Sequence, residues 1–319
     1  MNDLLYKVQS RFLFHAHVRI KIPASCDDAV FSELFTVMES VDRKYNSYSP
    51  DSYIDRINRN AGHFVTVDDE MASILKEIVF FSDIFKGAYD VTVMPLVRLW
   101  GFYRDKVDRI PSERDIGTVR PFVDYRKIEI NGNEVRIGKG QEIVTGSFIK
   151  AYAVDRVVCR MRELGIDDGI INAGGSTIYA LGPAAGDEWD IAVSDPADNR
   201  SAYSFSLLNR CLSTSCQSET FVTVDGKRYG HILDPRTGYP SPNRLVCIAS
   251  DRCMVGDIVS TGLFCETRDS FVEVLGKISR EYALEGFLID PSGEPVCSSG
   301  FCYTHEKKPY ERRFFDRIP

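Results

Sequence analysis

Two stretches in the carboxy-terminal third carry side chains spaced for chemistry. In "VGDIVSTGLF", residues 255–264, Asp257 and Thr261 stand four apart on an expected helix and so share a face. A carboxylate beside a hydroxyl supplies half of a hard-cation site, for magnesium or calcium. The same spacing fits a helix cap, with Asp257 as N-cap and Thr261 bonding back to a carbonyl. In "RYGHILDPRTGYP", residues 228–240, one of only five histidines stands just ahead of a turn running from Asp234 to Gly238. His231 is either a polar residue on a hairpin edge or a site residue held by a rigid turn.

Weaker signals accompany these. Gly174 and Gly175 in "INAGGSTIYALG" give backbone amides room to approach a phosphate, and they equally make a plain hairpin turn. The stretch lacks dinucleotide-fold and P-loop spacing. "GSFIK", residues 146–150, opens a helix whose first amides face an anion, with Lys150 one turn on, or is simply capped by Ser147. "GAYDVTVMPLVRLWGF" brings Tyr89, Asp90 and Trp100 together, for stacking on a flat ring or for core packing. His15 and His17 alternate with Arg19 on an expected strand and read as solvated rather than metal-bound. "CLSTSC", residues 211–216, offers hydroxyls but no Ser-His-Asp order.

The elements that must position these residues follow from periodicity. "RFLFHAHVRIKI" alternates and predicts a strand over 11–22. Residues 27–42 and the stretch "DDEMASILKEIVFFSDIFKG" predict helices, the second closing at Gly87. A turn at "YNSYSPDS" and a short helix stopped by Gly62 lie between them. "AYDVTVMPLVRLWGF" reads as strand or loop, broken at Pro95. "KIEINGNEVRIG" is a hairpin turning at Asn131-Gly132. A third helix runs through "SFIKAYAVDRVVCRMRELG"; strands follow at "DDGIINAGGSTIYALG" and "EWDIAVSDP", then a helix near 256–277 and strands near 284–290. Helices interspersed with hairpins predict an α+β fold with antiparallel sheets. With no repeat and no Pro/Ser-rich linker, one domain over 1–319 is expected, its motif-bearing core at about 11–290 and an extension at 291–319.

At 319 residues the chain is long enough for a full core, and its composition is that of a globular protein. A net charge of -7 gives no electrostatic reason to expect nucleic acid. No apolar run approaches the length of a membrane span. The first residues do not read as a signal peptide, so the sequence as it stands points to the cytoplasm, unless an exported precursor has been trimmed. The nine cysteines form no C-x-x-C pair and read mostly as small apolar residues in a reducing compartment, with one disulfide possible.

In their order, "YNSYSPDSYIDRINRNAG", "GAYDVTVMPLVRLWGF", "INAGGSTIYALG", "DGKRYGHILDPRTGYP" and "GDIVSTGLF" resemble the ApbE family of flavin transferases over roughly residues 11–290. The H-x-x-D-P-R-T-G element with a later D-x-x-x-T is the most specific part. The resemblance implies an α+β fold with two subdomains around a flavin cleft. It further implies magnesium-dependent transfer of FMN from FAD to a Ser or Thr hydroxyl of an acceptor protein, with AMP released. The acceptor segment would resemble D-x-x-[ST]-G-A-[ST]. Asp257, Thr261 and the main-chain carbonyl of Ser147 are the implied magnesium ligands. Tyr48, Tyr89, Asp90, Val91, Lys150 and Ile232 match positions lining the FAD site, and His231 is the implied catalytic residue beside the pyrophosphate. The family's D-L-G-x-I-A-K-G-Y is "VTGSFIKAY" here. Val144 stands in place of an acidic residue, Ile149 and Ala151 add bulk expected at the cleft, and Cys216 replaces the glycine of TSG. These departures keep two other readings open, a flavin-binding paralogue without catalysis and an FAD pyrophosphatase giving FMN and AMP.

Overall fold

Apolar side chains alternate along the central strands, and each phase of the alternation meets a different core. The structure, a computed structural model, describes residues 5–102, 109–182, 188–198, 201–217 and 220–306. Its helices are α1 (Ala29–Tyr45), α2 (Tyr53–Arg59), α3 (Asp69–Ile84), α4 (Met94–Leu99), α5 (Glu113–Val119), α6 (Ile149–Glu163), α7 (Cys253–Phe264) and α8 (Arg268–Tyr282). In the strand Leu245–Ser250, Val246 and Ile248 join the core shared with α1, α3, α6 and α7. Leu245, Cys247 and Ala249 point the other way, into a second core with Phe205, Phe287 and Phe301. A period of two thus buries both faces of one sheet.

That sheet has eight strands, in the order Tyr6–Leu13, Ala16–Pro23, Gly169–Ala173, Thr177–Leu181, Arg210–Cys216, Leu245–Ser250, Glu285–Ile289 and Pro295–Cys297. Every pairing along it is antiparallel. A three-stranded antiparallel sheet of Trp189–Ser194, Ala202–Leu207 and Thr304–Glu306 supplies the other half of the second core. A third, smaller cluster gathers Met94, Leu96, Val97, Trp100, Ile116 and Leu233. The α+β class with antiparallel sheets is as the sequence predicts. Residues 295–297 and 304–306, beyond the stretch that carries the motifs, each pair as an edge strand.

Four local expectations change. Residues 11–22 are two strands, because the chain reverses at Phe14 and His15, both with φ near +55° (53° and 58°). That reversal takes His15 off the strand that carries His17 and Arg19. Pro95 does not break a strand; it sits in the first turn of α4, where its missing N–H costs nothing. The hairpin at 129–136 has Gly132 and Asn133, not Asn131 and Gly132, between its paired residues. The helix expected over 256–277 is two, since Cys265 ends α7 and the Thr267 hydroxyl caps α8 by accepting from the Ser270 N–H.

Candidate functional site

Helix α7 lies almost wholly buried against the strands Arg210–Cys216 and Leu245–Ser250, and two glycines let it come that close. A Cβ on Gly256 would stand 2.6 Å from Ser213 Oγ, and one on Gly262 would stand 2.8 Å from the Phe85 ring. This approach places Asp257 under the sheet, where the Thr177 hydroxyl donates to both carboxylate oxygens at 3.1 and 2.8 Å and Ser213 adds a further bond. Burial pushes the Asp257 carboxyl up to about 6, with Lys150 and the hydroxyls pulling the other way. Asp257 is therefore no N-cap, since it lies inside the helix. Thr261 does bond back, donating to the Asp257 carbonyl at 2.9 Å. Ser215 and Ser260 meet at 2.9 Å beside it.

Lys150 lies in the first turn of α6 and extends over the Gly174–Gly175 turn, its Nζ 2.5 Å from Ser176 Oγ. A Cβ at Gly174 would come within 3.6 Å of that Nζ. Gly174 and Gly175 both have positive φ, so the turn needs glycine and also leaves the lysine its path.

His231 follows the hairpin Phe221–Val224 and Lys227–Gly230. Its Nδ1 lies 3.2 Å from the Thr220 carbonyl oxygen. A carbonyl only accepts, so Nδ1 carries the proton and Nε2 is left basic. Burial pushes the imidazole below its ordinary value, with the Thr220 bond opposing. The turn behind it is rigid for visible reasons. Gly238 donates to the Asp234 carbonyl at 2.7 Å, and the Arg236 guanidinium bonds the Asp234 carboxylate at 2.9 Å. Arg236 also reaches Glu266 and the Cys265 carbonyl, tying the turn to the end of α7. Trp100 Nε1 donates to the Gly238 carbonyl at 2.8 Å.

These groups open on one cavity of about 1560 Å³. Its lining includes Ser147, Asp257, Thr261 and His231, together with Tyr48, Tyr89, Asp90, Val91, Lys150 and Ile232. The ten positions come from separate stretches of sequence, and the fold brings them together. Tyr89 Oη lies 3.1 Å from Ser147 Oγ, linking two of them directly. Tyr48 packs edge-on against His15, ring centroids 5.4 Å apart. The Asp90 carboxylate is held in place, accepting from Thr92 N and Oγ1 and from Tyr125 N.

The departures fall in two groups. Val144, Ile149 and Cys216 line the cavity, and Val144 also packs on the small third cluster. Ala151 does not narrow the cleft, because it is buried in the main core. Thr177 and Ser213, which hold Asp257, lie in stretches the sequence singled out but were given no such role; a hydroxyl on a strand has no signature until the facing helix is known. Of the cysteines, Cys211, Cys247, Cys253 and Cys265 are buried, three others are exposed, and all nine are unbridged.

A hard cation suits this donor set. Asp257 is a buried carboxylate whose direct partners are neutral hydroxyls, and Thr261 Oγ1 keeps lone pairs after its single donation. No group of three or more His, Cys, Asp or Glu that could hold a metal ion gathers among the described residues.

Known proteins resemble this chain over most of its length. The model of the ApbE family matches residues 14–284. The FAD:protein FMN transferase of Haemophilus influenzae is 27% identical over 259 residues, 77% of this chain and 75% of that one. Its counterpart from Vibrio cholerae is 30% identical over 239 residues, 73% of this chain and 72% of that one. Among solved structures, the ApbE protein from Thermotoga maritima superposes with a TM-score of 0.83 at 26% identity, covering 92% and 97% of the two chains. The flavin transferase ApbE from Vibrio cholerae gives 0.82 at 25% identity, covering 93% and 98%.

Proposed function

The chain belongs to the ApbE family, and from that premise we propose that it is an FAD:protein FMN transferase. It moves FMN from FAD to a Ser or Thr hydroxyl of an acceptor protein, releases AMP, depends on magnesium, and works as one unit over its whole length. The observation that supports this reading is one cavity lined both by Asp257, Thr261 and His231 and by the positions expected to bind flavin, Lys150 among them.

Each residue has a task its surroundings suit. Asp257, Thr261 and the Ser147 carbonyl would hold the magnesium, which supplies neutralisation of pyrophosphate charge. Lys150, fixed by Ser176, places a second positive charge beside the same phosphates. His231 takes the proton of the acceptor hydroxyl at Nε2, since Nδ1 is engaged with Thr220. Tyr48, Tyr89, Asp90, Val91 and Ile232 shape the flavin compartment.

The test is incubation with FAD, magnesium and a peptide of the D-x-x-[ST]-G-A-[ST] type, following AMP and the peptide's mass. One added FMN per peptide, lost in His231→Ala, is the expected result. AMP without modified peptide replaces transfer by hydrolysis. Bound FAD with neither product leaves a flavin-binding paralogue, the outcome to which the missing carboxylate at Val144 would point.

A further inference from the structure

The cavity, at about 1560 Å³, exceeds the roughly 300–1,000 Å³ of a typical small-molecule site. The residues expected to bind flavin and metal account for one part of it. The lining also takes in Arg19 and Lys21 of the large sheet, which no motif covers. The strand Trp189–Ser194 contributes all six of its residues to the same lining.

This strand is an edge. It pairs with Ala202–Leu207 on one side, and among the described residues no strand pairs with the other. On an antiparallel edge every second residue turns both its N–H and its C=O outward. Proteins usually defend such edges with lysine, proline or a bulge. Trp189–Ser194 has neither residue, and its register runs unbroken from Trp189↔Leu207 to Ser194↔Ala202. Its one charge, Asp190, accepts from the Ser206 hydroxyl at 2.7 Å. Arg19 and Lys21 line the same cavity, with Lys21 Nζ 4.5 Å from the Tyr6 ring and 4.8 Å from the Trp189 ring and the Asp168 carboxylate acting on it.

We propose that Trp189–Ser194 is the docking strand for the acceptor protein. An extended, acidic segment of the acceptor adds to this edge as a further strand, and its hydroxyl-bearing residue continues into the compartment of His231 and Lys150. The inference rests on the transferase reading above and adds how the protein substrate is held. Main-chain pairing supplies affinity, while Arg19 and Lys21 select acidic side chains.

The test is an N-methyl scan of the same D-x-x-[ST]-G-A-[ST] peptide, extended by four residues at its amino end and labelled with a fluorophore. Its binding to the full-length protein with FAD present is followed by anisotropy, separately from turnover. Methylation is expected to weaken binding about tenfold or more at alternate positions, near the upper worth of one net hydrogen bond. Arg19→Glu is expected to raise the peptide's KM with FAD affinity unchanged, and a peptide of reversed charge to restore it. Loss at no position, or at consecutive positions without alternation, overturns the proposal, as does an Arg19→Glu variant whose peptide KM is unaltered. Alternating loss without FMN transfer would keep the docking strand and reject the transferase reading; transfer without alternation would do the reverse.

Discussion

At the scale of single residues, two side chains have been moved from their ordinary acidity by burial, and each shift predicts a pH effect. His231 is pushed down, so its neutral form persists to lower pH. The acid limb of the transfer rate is therefore expected below about pH 6.5, the ordinary imidazole value. His231→Ala should cost on the order of 10²–10⁴ in kcat and abolish that limb; a limb centred above 7 would contradict a desolvated imidazole. Asp257 is pushed up to about 6, so between pH 4 and 6 the folded chain holds a proton that the unfolded chain has lost. Stability without divalent cations should fall across that window by about 3 kcal/mol, and the penalty should be complete above it. Asp257→Asn should remove this dependence. In denaturant titrations near pH 8 it is expected to unfold at or above the wild-type midpoint, with the difference gone by pH 4, while magnesium no longer stabilises it. A wild type that gains stability over the variant as pH rises from 4 to 6 would refute the assignment.

The elements decide how firmly those residues are held. Helix α7 depends on close approach at Gly256 and Gly262, but the two neighbours differ. At Gly262 the neighbour is the face of the buried Phe85 ring, which has no room to give. Gly262→Ala is expected to cost 1–3 kcal/mol of stability, the usual range for overpacking, measured by urea unfolding. At Gly256 the neighbours are two serine hydroxyls, one of which bonds Asp257. Gly256→Ala should therefore show its larger effect in magnesium dependence and its smaller one in stability; equal effects from both would place the site elsewhere on the helix. Much of this scale was legible in the sequence. Asp257 and Thr261 at four-residue spacing, the helices α1, α3 and α6, and the "GGS" and "DPRTG" turns follow from periodicity and turn chemistry. The rest needed three dimensions. Phe14 and His15 reverse the chain with positive φ and without the Asn-Gly, Asp-Gly or Gly-Gly that marks such a turn. Pro95 has the same identity whether it starts a helix or breaks a strand. Thr177 matters only because α7 lies opposite.

For the whole molecule, the cavity borrows lining from all three hydrophobic clusters, so a ligand there touches every part of the core at once. FAD with magnesium is expected to raise the unfolding free energy by about 2.7 kcal/mol at a hundredfold excess over Kd, through mass action. A thermal-shift titration checks this, and Asp257→Asn should lose the magnesium-dependent part. A flat titration would exclude FAD from the cavity. The large sheet has a further property: its strands lie side by side in the order in which they occur in the chain, from Tyr6 to Cys297. A sheet of that kind can be laid down as it is synthesised, each emerging strand finding the previous edge already exposed. Asp257 and Thr261 are the last of the site residues to leave the ribosome, so the nascent chain can build most of its scaffold while still unable to assemble the proposed metal site.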